Sequence, residues 1–453
     1  MRTDEYPFDS VNRFMAVHCI CGSDKTMYLK GAAEVILPRC DRYMTADGAV
    51  AELGVQKRRE IESAAEDMAS NALRVLALAY TPAASFEPER GGLIFLGLTG
   101  MLDPPREEVR AAVRACANAS VKTVMITGDH KNTAAAIAAK AGILRGGKVM
   151  TGAELDKLSD DELDGVIDKY TVFARTEPAH KLRIVRSLRR KGEIVTMTGD
   201  GVNDAPALKE ADVGAAMGIT GTDVTKQAAD IILLDDNFAT LVAAAEEGRC
   251  VYANIRKFVR YLLSCNIGEV LTMFAGILIG MPIVLTPVQL LLVNLVTDGL
   301  PAIALGLEPP EDDIMEKPPR KASESFFSGG LMQRIVFRGV LIGLSTLAAF
   351  AAVGRLGGDL AVCRTAALIT LVMSQLIHVF ECKSESKSLL RIRLLSNVKL
   401  VLAVLVSLAV LAAAVSIPPL QLIFGTASLP LTLLLTAAAA SLLPSFVCRL
   451  LRL

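Results

Sequence analysis

The pattern of hydrophobic and polar positions divides the chain near residue 256. Beyond this point six apolar stretches, each long enough to cross a bilayer, follow one another. They lie at roughly 258–280, 286–306, 335–354, 361–380, 398–417 and 428–448. Before it, short apolar runs alternate with segments of helical periodicity. The pattern therefore predicts an α/β part followed by an all-α membrane domain of six helices.

The charges between the apolar stretches indicate the orientation of the chain. The loops near 307–334 and 381–399 are rich in Lys and Arg, whereas the loop near 418–427 has no charge. Because positive loops stay on the cytoplasmic side, the first 255 residues and both termini are predicted to be cytoplasmic. The basic residues are Lys317, Arg320, Lys321, Arg334, Lys383, Lys387, Arg391, Arg393 and Lys399.

The cytoplasmic part is predicted to contain two domains, 1–102 and 103–245, ahead of a stalk and membrane domain at 246–453. The break falls at Asp103-Pro104-Pro105-Arg106, because two prolines cannot continue regular structure. The first domain is predicted to hold strands and one helix near 56–79. The second has the alternation of a doubly wound α/β domain, and the helical spacing of 238–257 predicts a stalk that continues into the first membrane helix.

Composition adds limits on function. The formal net charge is zero, which gives no support for a nucleic-acid partner. The nine cysteines include no CxxC pair, so they are interpreted as reduced, mostly buried residues. The 52% hydrophobic content and mean hydropathy of +0.43 agree with a polar part joined to a membrane part.

The most informative motif is MTGDGVNDAP, from Met197 to Pro206. A strand over 193–197 and a helix start over 205–209 predict that Asp200 follows the carboxyl end of a strand, where open α/β sheets bind ligands. Carboxylates combined with phosphate and water oxygens suit Mg²⁺. Asn203 and Asp204 lie within one turn of Asp200. The motif therefore indicates a magnesium and phosphoryl site.

A second phosphate-type element lies upstream, where an apolar strand over 124–126 ends at Thr127, Gly128 and Asp129. Lys181 lies between the two motifs. The order strand, TGD, helix, lysine, strand, GDGVND is that of a haloacid dehalogenase-like phosphotransferase core. In that chemistry a lysine and Mg²⁺ stabilise charge on the phosphoryl group while an aspartate attacks it.

Together with KGAAE (30–34), GLTGMLDPPREEV (97–109) and NLVTDGLPAIALGLEPPE (294–311), these motifs resemble the P-type ATPase family, and the calcium-transporting pumps above all. The resemblance implies a haloacid dehalogenase-like (doubly wound) α/β domain and a partial α+β nucleotide-binding domain, followed by the six-helix membrane domain. It implies ATP as substrate, Mg²⁺ as cofactor and a transported Ca²⁺. The resemblance implies that Asp200 is a Mg²⁺ ligand, that Lys181 neutralises charge and that Thr127 to Asp129 bind the phosphoryl group. It also implies that Asn203 and Asp204 support the phosphorylation loop and that Lys30 and Arg74 contact the nucleotide.

The family's phosphorylated aspartate lies in a DKTGT motif that this sequence does not contain. Asp24-Lys25-Thr26 is followed by Met27 and is interpreted as a hairpin turn. The resemblance thus indicates the carboxyl-terminal half of a pump, inactive alone, with the adenine-stacking aromatic expected upstream of residue 1.

Polar residues within the apolar stretches indicate the transported ion. Asn266 and Glu269 are three apart, and Asn294, Thr297 and Asp298 follow at i, i+3 and i+4, so each set shares a helix face. Oxygen ligands of this kind suit Ca²⁺. The alternative is a structural hydrogen-bond network.

Two further residues bear on the number of ions. Gln375 aligns with an acidic ligand of pumps that carry two ions, which favours one Ca²⁺ per cycle. His378 is interpreted as a packing residue.

Three functions remain open from the sequence alone. The first is a pump for Ca²⁺, Mn²⁺ or another cation in the plasma membrane. The second is a non-catalytic half-pump that assembles with a separately encoded amino-terminal half. The third is a membrane-anchored phosphatase, disfavoured because no DxD or DxT nucleophile precedes TGD.

Overall fold

The computed structural model describes residues 1–9, 12–21, 24–71, 73–82, 85–89, 91–102, 104–321, 323–384 and 393–451. They form two compact units, Met1–Ala243 with Met315–Ala322 and Ala244–Ile314 with Ser323–Leu453. The division after Ala243 falls close to the predicted boundary at residue 245. Asp103, Lys387 and Arg391, which entered the predictions, lie outside the described residues.

The first unit begins with a seven-stranded sheet in the order β1-β2-β3-β6-β7-β4-β5. All neighbours are antiparallel except β4 and β7. Phe14, Met27 and Leu93 form part of its core. The elements are β1 Arg2–Tyr6, β2 Phe14–Cys21, β3 Asp24–Gly31, α1 Ala33–Ile36, β4 Cys40–Met44, β5 Val50–Glu52, α2 Val55–Ser70, β6 Leu73–Pro82 and β7 Leu93–Leu102.

Two local predictions in this region were wrong. The helix expected near 56–79 ends at Ser70, and the residues that follow form β6. Its alternating Leu and Ala residues pair with β3 and β7, so sheet pairing overrides the helical propensity of the segment. Asp24, Lys25 and Thr26 are the first residues of β3 and not a turn, although β2 and β3 form the expected antiparallel hairpin.

The rest of the first unit contains two three-stranded parallel sheets, in the orders β8-β10-β9 and β11-β12-β13. The described residues thus form two small sheets where one doubly wound sheet was expected. The strands are β8 Met125–Ile126, β9 Lys148–Thr151, β10 Tyr170–Ala174, β11 Thr196–Gly199, β12 Val213–Met217 and β13 Ile231–Leu233. The helices are α3 Glu107–Asn118, α4 Lys131–Ala141, α5 Gly152–Leu155, α6 Asp160–Val166, α7 Pro178–Arg190, α8 Ala205–Glu210 and α9 Asp223–Ala228.

Helix α7 contributes to the hydrophobic clusters of both parallel sheets. Ile184 packs in the cluster that contains Phe173 of β10, and Val185 packs in the cluster that contains Met197 of β11. Neighbouring residues of one helix thus pack against both sheets. This packing positions α7 relative to β10 and β11.

The remaining elements are helical, and among the described residues six helices are long and apolar enough to cross a membrane, as predicted. The first begins at Phe238 and continues to Leu278 without interruption, so residues 238–257 are helical, as their spacing predicted. The helices are α10 Phe238–Leu278, α11 Pro287–Leu292, α12 Gly299–Leu305, α13 Leu331–Arg355, α14 Leu360–Glu381, α15 Val398–Ser416, α16 Pro418–Phe424 and α17 Leu431–Leu450. A π-helical segment, Val293–Asp298, joins α11 to α12.

Helices α10 and α13 approach each other closely at glycines. A Cβ added to Gly339 would lie 2.6 Å from Ile267 Cγ2 and 2.8 Å from Ser264 O. Gly343 follows one turn later, where an added Cβ would lie 3.0 Å from Gly268 O. Small residues four apart allow helix backbones to pack together within a membrane. This contact holds the part of α10 next to Glu269 against α13.

Candidate functional site

The GDGVND turn is organised around a buried carboxylate. Asp204 is 4% exposed, and its Oδ1 lies 2.5 Å from Lys181 Nζ. Its Oδ2 accepts hydrogen bonds from the backbone N–H of Asp200 at 3.3 Å and of Gly201 at 3.4 Å. Gly199 is needed here because an added Cβ would lie 2.5 Å from Asp204 Cβ. Asp204 therefore shapes the turn, and Lys181 compensates its charge.

Asp200 has a different environment from Asp204. It follows β11 directly, as predicted, and both Asp200 and Asn203 are exposed. The Asp200 carbonyl accepts hydrogen bonds from Thr222 N at 3.0 Å and Thr225 Oγ1 at 3.3 Å, which tie the turn to the start of α9. The backbone is thus anchored while the Asp200 side chain faces outward, at the strand end where α/β sheets bind ligands.

The TGD loop is held by the end of strand β10. Thr127 N donates to Phe173 O at 2.9 Å, and Thr176 Oγ1 donates to Thr127 O at 3.0 Å. Thr127 Oγ1 lies 2.9 Å from Asp129 Oδ2, and Gly128 is exposed. Lys181 is on α7, shortly after β10, so the loop and the lysine depend on the same strand end.

A third turn at the carboxyl end of β12 is also fixed by a carboxylate. Asp236 accepts hydrogen bonds from Ile219 N at 2.9 Å and from Thr220 N at 2.8 Å. These backbone donors stabilise the ionised form and lower the pKa of Asp236 to about 2. The sequence reasoning did not identify this residue.

The seven-stranded sheet places Lys30 and Arg74 on one exposed face. Lys30 lies opposite Leu78 across β3 and β6, and Arg74 is four residues from Leu78 on β6, so all three side chains share a face. A rise of about 3.3 Å per residue separates Arg74 from Leu78 by about 13 Å along the strand. Phe8, between β1 and β2, is 60% exposed and lies at the end of the sheet where Lys30 is found.

In the helical unit, Glu269 is the centre of a buried polar cluster. Its side chain is on α10, and the residue is 5% exposed. Oε2 accepts a hydrogen bond from Asn294 Nδ2 at 2.8 Å, and Oε1 accepts one from Gln375 Nε2 at 2.9 Å. The structure therefore joins three helices at this carboxylate, including the one that carries Gln375.

Asp298 lies at the end of the π-helical segment and is 2% exposed. Tyr261 OH donates to its Oδ1 at 3.1 Å. Within the described residues, Asp298 Oδ2 and Gln375 Oε1 are buried without a hydrogen-bond partner. Buried acceptors without donors are costly unless a ligand completes them, and a cation would do so.

Other predicted ion ligands are placed differently. Thr297 is fully buried, and its Oγ1 donates to Val293 O within its own helix at 3.0 Å. Asn266 is exposed, whereas Glu269 is buried, so these two residues do not share one buried face. The π-helical turn also changes the spacing on which the i, i+4 argument for Asn294 and Asp298 rested.

His378, interpreted from the sequence as a packing residue, belongs to a charged cluster. Its Nδ1 lies 3.2 Å from Glu381 Oε2, and Glu381 forms a 2.8 Å ion pair with Arg338 of α13. The His378 and Tyr261 rings are 6.2 Å apart. The sequence reasoning missed both Tyr261 and Arg338, and only the polar character of Arg338 within an apolar stretch could have indicated it.

The donor set limits what each site can bind. Among the described residues, no group of three or more His, Cys, Asp or Glu side chains could hold a metal ion. A cation at Glu269 and Asp298 would therefore need amide, hydroxyl or backbone oxygens as well, which are ligands of hard cations such as Ca²⁺.

The six apolar helices and the α/β part, which carries polar turns at its strand ends, define an integral membrane protein. Two family models match the chain: "P-type ATPase, cytoplasmic domain N" over residues 1–108, and "Cation transporting ATPase, C-terminus" over residues 282–453. The chain belongs to the P-type ATPase family.

Curated relatives match between about three quarters and almost all of the chain. A "Calcium-transporting ATPase" of Bacillus subtilis is 46% identical over 453 residues, covering 98% of this chain and 51% of the relative. "Calcium-transporting ATPase 1" of Lactococcus lactis is 40% identical, covering 94% and 48%. "Calcium-transporting ATPase 3, endoplasmic reticulum-type" of Arabidopsis thaliana is 44% identical, covering 76% and 35%. The chain spans about half the length of the first of these relatives.

Proposed function

We propose that this chain forms the phosphoryl-handling and cation-binding part of an ATP-driven Ca²⁺ pump. The observation that carries the proposal is the Glu269 cluster, in which one buried carboxylate meets side chains of two other membrane helices. The names of the relatives support Ca²⁺ as the ion. Both termini are proposed to be cytoplasmic and the membrane to be the plasma membrane, on the distribution of Lys and Arg.

The phosphoryl site would be completed by an aspartate supplied with a DKTGT motif. Asp200, exposed at a strand end, fits a Mg²⁺ ligand, and bound Mg²⁺ would supply charge stabilisation to the phosphoryl group. Lys181 neutralises charge at the turn, Thr127 to Asp129 bind the phosphoryl oxygens, and Asn203 with Asp204 support the phosphorylation loop. The contact between Lys181 and Asp204 supports this assignment.

We further propose that the two parallel sheets are halves of one haloacid dehalogenase-like sheet. Each has its phosphate-binding turn on an edge strand, β8 or β11, and both are supported by α7. A strand carrying DKTGT between these edges would complete a doubly wound sheet.

For nucleotide binding, Lys30 and Arg74 supply cations on one exposed face of the seven-stranded sheet. Phe8 is an exposed aromatic at the Lys30 end of that sheet, so the chain itself offers a ring for base stacking. Phe8 is proposed here as an alternative to an aromatic upstream of residue 1.

The cation site is proposed to contain Glu269, Asp298, Asn294 and Thr297, with Gln375 as a neutral ligand. Asn266 would require a rotation of its helix to join them, because it is exposed here. Two carboxylates balance one divalent ion, which supports one Ca²⁺ per cycle.

The proposal is tested by expressing the chain together with an amino-terminal half that contains DKTGT. The pair should form an acid-stable phosphoenzyme from ATP, and this chain alone should not, because the nucleophile is absent. Asp200→Ala should abolish labelling. Labelled phosphate on an aspartate of the chain alone would overturn the assignment.

The same pair tests the cation site by ATPase activity across Ca²⁺ and Mn²⁺ titrations. Glu269→Gln and Asp298→Asn should raise the half-saturating Ca²⁺ concentration steeply, whereas Gln375→Ala should raise it less and phosphorylation by inorganic phosphate should survive. If His378→Ala alone loses cation dependence, the site is misplaced. A greater affinity for Mn²⁺ than for Ca²⁺ would reassign the ion, and cation binding without phosphorylation in the paired halves would favour the non-catalytic half-pump.

A further inference from the structure

Glu308, just beyond the end of α12, is a buried carboxylate to which the sequence patterns assign no role. It is 7% exposed. Its Oε1 lies 3.3 Å from Lys383 Nζ, which is itself 3% exposed, and its Oε2 accepts a hydrogen bond from Asn397 Nδ2 at 2.9 Å. Buried charges are retained only where partners compensate them, so this pair is a built feature of the helix ends.

The same residue is also held through its backbone. Asn254 of α10, 5% exposed, donates from Nδ2 to Glu308 O at 2.7 Å and to Gly306 O at 3.4 Å. Asn397, at the start of α15, also donates to Ala304 O at 2.8 Å. Carbonyls at a helix carboxyl end have no partner within the helix, and here two asparagines from other helices satisfy them.

The contacts of Lys383 extend this cluster to the segment before α15. Lys383 Nζ also donates to Arg393 O at 3.0 Å, Leu394 O at 3.1 Å and Ser396 Oγ at 2.9 Å. Glu308 is therefore joined to α10 through Asn254, to the end of α14 through Lys383, and to the start of α15 through Asn397. We call this set of four residues the Glu308 clasp.

The clasp contacts α12 at its carboxyl end and α10 at Asn254, and these two helices adjoin the proposed cation-site carboxylates. Asp298 directly precedes α12, whose carboxyl end the clasp holds. Asn254 and Glu269 are on the same continuous helix α10, 15 residues and about 22 Å apart at 1.5 Å per residue. We infer that Glu308 is a positioning residue that fixes the axial register of α12 against α10 and so sets the distance between the Asp298 and Glu269 carboxylates.

The link from register to cation affinity rests on the proposed function, whereas the register itself does not. Hydrogen exchange of the full chain in lipid nanodiscs tests the register without any cation. Glu308→Gln keeps an acceptor for Asn397 but leaves the buried Lys383 ammonium without its carboxylate. It should raise amide exchange of the π-helical segment Val293–Asp298 about tenfold, with α17 unchanged as the internal reference.

Two further variants separate this role from general stability. Glu316→Gln removes a carboxylate from an exposed position of the same loop and should change nothing. Glu308→Gln combined with Lys383→Met removes both buried charges and should return exchange to within about threefold of the unmodified chain, because no unpaired charge remains. Equal acceleration in all helices, or no acceleration at Val293–Asp298, overturns the inference.

Equilibrium binding of radioactive Ca²⁺ to the same samples supplies the second measurement. Glu308→Gln should weaken binding about tenfold without reducing the number of ions bound, and the double variant should recover most of the loss. Altered exchange with unchanged Ca²⁺ affinity would show that the clasp does not position the cation site, which overturns the inference. If the unmodified chain binds no Ca²⁺, the proposed function fails for this chain, and the exchange data alone decide the register role.

Discussion

The glycine contact between α10 and α13 allows a sharp test of the packing. In Gly339→Ala, the added Cβ would lie 2.6 Å from Ile267 Cγ2 and 2.8 Å from Ser264 O. Ordinary contacts begin near 3.4 Å, so Ile267 must move and the two helices must also separate. The backbone oxygen cannot rotate away, so a new side-chain rotamer alone does not relieve the contact.

The expected cost follows from two opposing effects. Overpacking a tight interior costs about 1–3 kcal/mol. Replacing glycine by alanine within a helix returns up to about 1 kcal/mol. The net destabilisation of Gly339→Ala should therefore be about 1–2 kcal/mol, measured by a reversible unfolding titration of the full chain in mixed micelles.

Gly354→Ala is the matched control on the same helix, because its added Cβ would meet only Cys363 Sγ at 3.6 Å. It should be neutral or stabilising by about 0.5–1 kcal/mol. Adding Ile267→Ala to Gly339→Ala should cost less than the sum of the two single changes, since residues in contact are not additive. If Gly339→Ala is as stable as Gly354→Ala, the close approach of the two helices is wrong.

Three further outcomes are expected in the first unit. Lys181→Met should destabilise the chain by about 2 kcal/mol in thermal unfolding, because Asp204 keeps only two long backbone hydrogen bonds; an unchanged melting temperature would contradict the charge compensation. Gly199→Ala should disrupt the same turn, seen as faster amide exchange over 199–204, because its Cβ would lie 2.5 Å from Asp204 Cβ. Hydrogen bonding to Arg190 lowers the pKa of Asp164 to about 2, so its contribution to stability is complete above about pH 4 and is lost as the pH falls towards 2. Asp164→Asn should therefore reduce the fall in the free energy of unfolding that is measured between pH 5 and pH 2.

Features that depend on local sequence were the predictable ones. The six membrane helices were identified because hydropathy over about 20 residues suffices to indicate a span. The position of Asp200 after a strand followed from the apolar run before it and the proline after it. The end of α2 was predicted wrongly, because residues 73–79 have no helix-breaking residue and become a strand only through pairing with β3 and β7.

Features that depend on contacts between distant residues could not be predicted. The hydrogen bond between Gln375 and Glu269 joins residues 106 positions apart, and no pattern along the chain specifies it. The π-helical turn at Val293–Asp298 changes which residues share a face, and the i, i+4 spacing of Asn294 and Asp298 does not indicate this turn. The buried position of Glu308 depends on asparagines from two other helices.

At the proposed cation site, the two amides on Glu269 would make cation binding an exchange and not a simple addition. Asn294 and Gln375 each donate an N–H to this carboxylate, so a cation that takes both oxygens must displace two hydrogen bonds to a charged group. At about 1.5–3 kcal/mol each, these bonds set a threshold of about 3–6 kcal/mol that an entering ion has to exceed. Rotation of the Gln375 amide would then present its oxygen in place of its nitrogen. In the proposed site the amides would thereby discriminate by charge density, because a monovalent ion of the same size offers half the attraction for the same displaced bonds.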